Sequence, residues 1–298
     1  MMGPTACGKT ELAIHLNQIL PIQIISVDSC LIYKGLDIGT SKPTPDQLHN
    51  YSHRLIDIVD PSNYYSVSNF LRDATLEIKN SILLKKTPLL IGGTMLYFHA
   101  LLRGLDPSLP RSNLEIRKIL RNFVKRFGLQ KTLSIFRKIH PKLKISSNLN
   151  DFQRTLRAIE VFLISNKNIE DFNNYERLLY PVLKIAILPK NRIDLYCRIR
   201  DRFFKMLKSG LEEEVNLLYH RGDLNDSFPS IRSIGYRQMW SYLSGKISYE
   251  SMIFESIKAT KRFAKKQMTW IKNWKDLHLF DFNEQNKILE KVACFIDS

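Results

Sequence analysis

Residues 3–10 read Gly3-Pro4-Thr5-Ala6-Cys7-Gly8-Lys9-Thr10. This is the full pattern G-x-x-x-x-G-K-[ST], and helical spacing follows it from Glu11 to Leu20. Glycines let backbone N–H groups converge on a phosphate, Lys9 reaches outer phosphoryl oxygens, and the Thr10 hydroxyl is a ligand for Mg²⁺. The pattern predicts a polyphosphate site at a strand–helix turn. It does not say which polyphosphate.

Outward from this loop, Ile22–Val27 is an aliphatic run ending at Asp28, and Leu89–Ile91 is another ending at Gly92-Gly93-Thr94. Helical patterns occupy Val67–Leu84 and Met95–Leu102. Strands alternating with helices predict an α/β fold, a P-loop-type parallel sheet flanked by helices, with ligands at the carboxyl ends of its strands. Such a loop normally hangs from a buried strand, yet only Met1 and Met2 precede Gly3. The expectation is a start set too late, or another segment in the strand's place.

The texture changes after Pro107 and Pro110. Apolar residues recur at Ile116, Ile119, Leu120, Phe123 and Phe127, then at Leu133, Phe136 and Ile139, with Gly128 and Pro141 as punctuation. Spacings of three and four are helical. They predict an α-helical insertion domain at 111–176 within a core formed by 1–110 and 177–298. Lys184–Leu188 reads as a strand returning to the sheet, and Ile193–Tyr219 and Ser251–Trp274 each read as one long helix.

The chain has 298 residues, 44% hydrophobic and 25% charged, which excludes collagen-like, disordered and disulfide-framework classes. Its 45 basic and 29 acidic side chains give +16, which favours a polyanionic partner. The charge is uneven. Residues 1–102 are neutral, 103–144 carry 12 basic groups against 2 acidic, and 258–275 carry 7 against none. Two blocks have the form of a nucleic-acid footprint. Cys7, Cys30, Cys197 and Cys294 lie far apart with no C-x-x-C pair, so no zinc site or disulfide scaffold is expected and a reducing cytoplasm is the natural compartment. No signal-peptide apolar region and no apolar run of membrane-span length occurs, so no membrane partner is expected.

Asp28, at a strand end beside the phosphate loop, suits either a magnesium-organising carboxylate or a general base facing a second substrate. Gly92-Gly93 permits close backbone approach to a ligand, with Thr94 offering a hydroxyl. Arg198 and Arg202 stand one helical turn apart, able to face one anion or to pair with Asp201 or Glu212–Glu214. In Ser251–Trp274, Ile253, Ile257, Ala264 and Ile271 form an apolar side, with Lys258, Arg262, Lys265 and Lys272 on another near Trp270 and Trp274. That side suits phosphate tracking and base stacking.

Taken in order, these residues resemble the bacterial tRNA dimethylallyltransferases (tRNA isopentenyltransferases) along nearly the whole chain. The matches are Gly3–Thr10; Asp28-Ser29, Tyr33-Lys34-Gly35 and Asp37-Ile38-Gly39-Thr40; His53-Arg54-Leu55 and Asp60-Pro61-Ser62; and Gly92-Gly93-Thr94-Met95-Leu96-Tyr97. They continue through Asn150-Asp151, Gln153-Arg154, Arg157-Ala158 and Glu160 to Ile234-Gly235-Tyr236-Arg237-Gln238, then Thr260, Ala264-Lys265, Gln267 and Thr269-Trp270. Only the first is strong by itself; the ordered set is highly specific.

The resemblance implies transfer of the dimethylallyl group from dimethylallyl diphosphate to N6 of the adenine just 3′ of a tRNA anticodon, with Mg²⁺ as cofactor. It makes Asp28 the general base, with Thr94 and Arg202 in the catalytic set. Gly3, Pro4, Thr5, Ala6, Cys7, Gly8, Lys9 and Thr10 then cradle the diphosphate, Thr5–Thr10 contact the prenyl substrate, and Thr10 holds the metal. Contacts to the tRNA anticodon stem-loop are implied at Asp28, Ser29, Cys30 and Leu31, and at Gln153, Arg154, Thr155, Leu156 and Arg157. Further contacts are implied at Arg232, Ser233, Ile234, Gly235, Tyr236 and Arg237, and at Lys265, Lys266, Gln267, Met268, Thr269, Trp270, Ile271 and Lys272. A monomer is expected. Cys7 replaces the family's usual Ser, and Lys261 and Lys266 replace usual arginines, which keeps charge but loses fork-like phosphate recognition. Rival readings are an adenylate isopentenyltransferase, a P-loop small-molecule kinase and a non-catalytic RNA-binding protein. The basic blocks oppose the first, the lack of an arginine-rich lid the second, and the intact Lys9, Thr10, Asp28 and Thr94 set the third.

Overall fold

The aliphatic run Ile22–Val27 forms a strand (β1) with every residue buried, as expected of a strand covered on both faces of a parallel sheet. The computed structural model describes residues 1–145, 152–174 and 178–298. Two compact units form: Met1–Ala100 with Tyr180–Ser298, and Leu101–Leu179.

In the first unit, a helix at Lys9–Ile19 (α1) precedes β1, followed by Pro45–Asn50 (α2), the short strand His53–Arg54 (β2), Val67–Leu83 (α3), Thr87–Gly92 (β3) and Met95–Arg103 (α4), whose residues from Leu101 on are assigned to the second unit. The start of α3 is capped by Ser66, whose side chain accepts from the Asn69 amide while Asn69 returns a bond to the Ser66 amide. β1 lies between β2 and β3, both parallel to it, and Val27 is registered with Gly92.

In the second unit, Leu114–Phe127 (α5), Leu129–Ile139 (α6) and Phe152–Ser165 (α7) enclose a core of Leu120, Leu133, Phe136, Leu156, Ile159 and Phe162. The sequence boundary at 111 falls ten residues inside this unit, and the 176/177 boundary lies outside the described residues, as does Asn150-Asp151.

The chain returns to the first unit as Ile185–Ile187 (β4), then Arg192–Lys208 (α8), Leu211–Tyr219 (α9), Tyr236–Leu243 (α10), Tyr249–Lys272 (α11), His278–Phe280 (β5) and Gln285–Ile296 (α12). The single helix expected over Ile193–Tyr219 is two. Its break is at Ser209-Gly210, where Gly210 takes φ +96° and starts α9 in a new direction. β4 and β5 pair in parallel. Met2 bridges the two strand groups, in parallel to Gly92 on one side and Ala186 on the other, and the Met1 carbonyl accepts from the Gly92 amide (3.2 Å). The Met2 amide donates to Ile185 O (2.8 Å) and its carbonyl accepts from the Ile187 amide (2.9 Å). No other described segment stands at this place.

A core of Leu12, Leu16, Ile22, Ile24, Ile91, Ile187, Ile288 and Val292 joins α1 and α12 to the sheet. A second, around Tyr33, Leu36, Phe203, Val215, Tyr236, Met239 and Met252, joins the loop after β1 to helices α8–α11. No helix among the described residues is long and apolar enough to cross a membrane.

The second unit has one buried charge on α7, Glu160, which is fully inaccessible. Its carboxylate accepts from Arg117 Nε (3.0 Å), Arg157 Nη1 (2.8 Å) and the Asn113 amide (2.6 Å). Burial alone would raise its pKa, but the hydrogen bonds from Arg157, Arg117 and Asn113 outweigh it and the net shift is downward. A lowered carboxylate pKa contributes stability above the ordinary value of about 4.3 and loses it as pH falls through the folded value. Glu160→Gln leaves two arginines without their buried partner and should cost about 3–5 kcal/mol at pH 7. The gap between wild type and variant should narrow below pH ~4, measured by denaturant titration across pH.

Candidate active site

The loop at 3–10 begins where Met2 leaves the sheet and ends in α1. Gly8, the residue before α1, holds φ +84°, and a Cβ there would fall 2.1 Å from the Phe282 ring. Both the dihedral and the ring demand glycine. Ala6 also takes a left-handed φ of 62°, a strained geometry that clusters at ligand-binding turns. Cys7 is buried in the sheet core, where a small apolar side chain suits the position. Lys9 Nζ donates to Pro4 O (2.6 Å). Gly3, Pro4 and Cys7 are buried, Gly8 and Lys9 half-buried, and Thr10 exposed.

β1 and β3 come unusually close where they end. A Cβ on Gly92 would sit 2.0 Å from Val27 O. The two following loops are therefore adjacent: the Thr94 amide donates to Val27 O (3.3 Å), and Thr94 Oγ1 accepts from the Ser29 amide (3.1 Å). Asp28 Oδ1 accepts from the Cys30 amide (2.8 Å) and the Leu31 amide (3.4 Å), while Oδ2 has no hydrogen-bond partner among the described residues.

Arg202 reaches this place from α8. Its Nη1 donates to Thr5 Oγ1 (3.0 Å), its Nη2 to Thr40 O (2.9 Å) and its Nε to Ser41 Oγ (2.9 Å). Burial lowers its pKa, opposed by the charges of Asp28 and Cys7, and a guanidinium remains charged throughout the physiological range. Arg198, one turn away, lies over the Phe282 ring at 5.2 Å, and Arg200 pairs with Asp201. Arg198 and Arg202 thus have different partners.

Thr5, Ala6, Asp28, Thr94 and Arg202 line one cavity of about 350 Å³. Its remaining wall is largely apolar and aromatic: Tyr33, Tyr65, Tyr97, Ile199, Phe203, Met206 and Phe263. Ser29, Cys30, Arg232, Ser233, Ile234 and Gly235 also contribute. Burial, with the Asp28 charge, pushes the Cys30 thiol up to about 12, and burial pushes the Tyr33 phenol likewise to about 12. Tyr65 and Tyr97 are raised further, again chiefly by burial. These groups stay protonated near neutrality, and Asp28 is the one carboxylate among the described residues of the wall. The arrangement can hold an anion at Thr5 and Arg202, an apolar group among the rings, and a proton at Asp28.

Other expected contact residues are distributed differently. Tyr236 is fully buried, its hydroxyl donating to Glu214 Oε1 (2.5 Å), while Arg237 is exposed. Gln267 is buried as a clamp: its Oε1 accepts from the Thr5 amide (2.9 Å) and its Nε2 donates to Gly93 O (2.8 Å). Met268 and Ile271 are in the core, whereas Lys265, Lys266, Thr269 and Lys272 are exposed and Trp270 half-buried. Trp270 and Trp274 both meet the His99 ring edge-on, at 6.0 and 6.2 Å. Lys261 lies over the Tyr196 ring, and Lys258 pairs with Glu255 (2.7 Å). Leu31 is half-buried. In the second unit, Thr155 and Leu156 are buried, Arg157 is bound to Glu160 and Pro110 O, and Gln153 and Arg154 are exposed.

Several contributors had no role assigned to them from sequence. Thr40 and Ser41 hold Arg202, the three tyrosines and Phe203 shape the cavity, and Glu214 binds loop amides rather than helix arginines. Tyr33, Thr40 and Tyr97 stood among the family matches and Glu214 in the Glu212–Glu214 run, but that signal named no partner.

The model of the family described as IPP transferase matches residues 31–274; the phosphate loop and Asp28 lie just ahead of that stretch. The full-length tRNA isopentenylpyrophosphate transferase of Bacillus halodurans is 32% identical, with 99% of this chain and 95% of that one covered at a TM-score of 0.73. The tRNA delta(2)-isopentenylpyrophosphate transferase of Staphylococcus epidermidis is 29% identical, with 99% and 97% covered at a TM-score of 0.70. A eukaryotic dimethylallyltransferase acting on tRNA, 24% identical with 99% and 78% covered, shares the fold at a TM-score of 0.81. The extent of the family match and the 32% identity over nearly the whole chain make the protein a member of the IPP transferase family.

Proposed function

We propose that this tRNA prenyltransferase moves the dimethylallyl group of dimethylallyl diphosphate to N6 of the adenine immediately 3′ of the anticodon. Prenyl transfer to tRNA follows from the family and its bacterial relatives. The finer reading rests on one observation: Asp28, Thr94, Arg202 and Thr5 of the P-loop share a single, largely apolar cavity. In this reading the apolar wall takes the five-carbon chain and excludes water, which would otherwise consume the allylic carbon. The N6–carbon bond forms as the carbon–oxygen bond to diphosphate breaks. Asp28 takes the N6 proton, and Arg202, Lys9 and the loop amides stabilise charge developing on the leaving group. Thr94, bonded to Ser29, keeps the loop after β3 beside the Asp28 loop.

Mg²⁺ fits the donor set. Thr10 offers one exposed hydroxyl, and no group of three or more His, Cys, Asp or Glu among the described residues could hold an ion unaided. That combination suits an ion bound chiefly through substrate phosphates and water, where it would neutralise diphosphate charge. The adenine must leave its stack to meet Asp28, so a flipped base is part of the reading. Exposed Lys265, Lys266 and Lys272 suit phosphate contacts on the same partner. The helical second unit is read as an insertion domain that contributes basic surface, and the enzyme as a cytoplasmic monomer.

The test is incubation with Mg²⁺, dimethylallyl diphosphate and unmodified tRNA, followed by mass analysis of nucleosides; adenosine monophosphate replaces tRNA in a second arm. Product on tRNA and none on the mononucleotide is expected. Asp28→Ala should lower transfer about 10²–10⁴-fold with tRNA affinity unchanged. A wild-type rate in that variant would remove the general-base role.

The basic end of α11 has its own test. Lys265→Ala with Lys266→Ala should weaken tRNA binding and flatten its salt dependence, by about one unit of slope for each phosphate no longer neutralised. Affinities measured across a salt series decide this, and an unchanged slope excludes these lysines from the footprint.

A further inference from the structure

Glu214 stands on α9, outside the cavity wall, and the reaction as described does not use it. Its carboxylate nevertheless collects four donors. Oε2 accepts from the Asp37 amide (3.0 Å) and the Ile38 amide (2.7 Å), and Oε1 from the Gly39 amide (3.1 Å) and the Tyr236 hydroxyl (2.5 Å). Three successive amides converging on one carboxylate fix the local backbone as charge-assisted hydrogen bonds do. The fully buried Tyr236 closes the arrangement: its ring lies so near Gly39 that a Cβ there would be 2.5 Å from it. Burial and the Glu214 charge hold this phenol well above its ordinary pKa, so it remains a donor.

The next two residues are Thr40 and Ser41, the acceptors of Arg202. With Thr5 they occupy three of the guanidinium's five N–H groups; one on each terminal nitrogen has no acceptor among the described residues. Those two are available to an anion beside the phosphate loop, and their direction depends on where residues 40 and 41 stand.

We infer that Glu214 is a positioning residue: by holding amides 37–39 it sets Thr40 and Ser41, and through them the aim of Arg202 at the diphosphate. This rests on the diphosphate reading above, but its test does not require turnover. Glu214→Gln keeps the size and replaces one acceptor oxygen by an NH₂ facing amides. The measurement is a double-mutant cycle with Arg202→Ala, read as the affinity for inorganic pyrophosphate by calorimetry, with tRNA affinity alongside.

Glu214→Gln should weaken pyrophosphate binding by about tenfold in the wild-type background and by less than about twofold in Arg202→Ala, the non-additivity expected of groups that act as a unit. Affinity for tRNA should stay within about twofold in both, because general damage to the fold would lower both affinities together. Should Glu214→Gln fail to fold, Tyr236→Phe keeps the ring against Gly39, removes one of the four bonds, and should give a smaller loss that again depends on Arg202. Equal losses with and without Arg202, an unchanged pyrophosphate affinity, or a parallel loss of tRNA affinity would each overturn the inference. Failure of wild-type protein to prenylate tRNA would instead overturn the functional reading and leave the pyrophosphate cycle to judge Glu214.

Discussion

Two parallel strands end level with one another, and the site depends on that constraint. Val27 of β1 is paired with Gly92 of β3, and the absence of a side chain at Gly92 allows its backbone close to Val27 O. The loops that continue from these ends carry Asp28 and Thr94. Because only glycine admits this approach, the register that pairs Gly92 with Val27 also sets the spacing of the two loops. A parallel sheet also leaves the carboxyl ends of its strands open between flanking helices, where a ligand has room.

Helices from the carboxyl-terminal half complete the site with a buried Gln267 and a half-buried Glu214 and Arg202, whose hydrogen bonds run to backbone and hydroxyl groups of the loops. Gln267 joins the phosphate loop to the loop after β3, Glu214 holds the loop after β1, and Arg202 ties that loop to Thr5. A polar group in such a place is costly unless satisfied, so each bond restricts the chain to one arrangement. The result is a charged rim on an apolar cavity, which suits a substrate with an anionic end and a hydrocarbon end.

In the second unit, basic side chains serve two different ends. Arg117 and Arg157 neutralise buried Glu160 and hold α5 to α7, whereas others such as Lys118, Arg121 and Lys138 stand at the surface. Net charge counts both kinds alike. The +10 excess over 103–144 therefore includes Arg117, committed to the fold rather than to a polyanion.

By itself, the order of residue types determined the strands at 22–27 and around 90, the helices after them, the phosphate-loop pattern and the family, because periodicity and contiguous motifs are local properties of the chain. It also put Asp28, Thr94 and Arg202 forward as candidates. What it did not reveal were relations across long separations: that Arg202 and Arg198 have different partners, that Gln267 and Tyr236 turn inward, that Glu214 binds amides 37–39, and that Met2 bridges two strand groups. A Glu beside arginines in a sequence has many available partners, and only packing selects one. Tertiary structure decided these assignments because burial removes water as the alternative hydrogen-bonding partner, and each polar group must then be satisfied by whichever neighbour the fold brings to it.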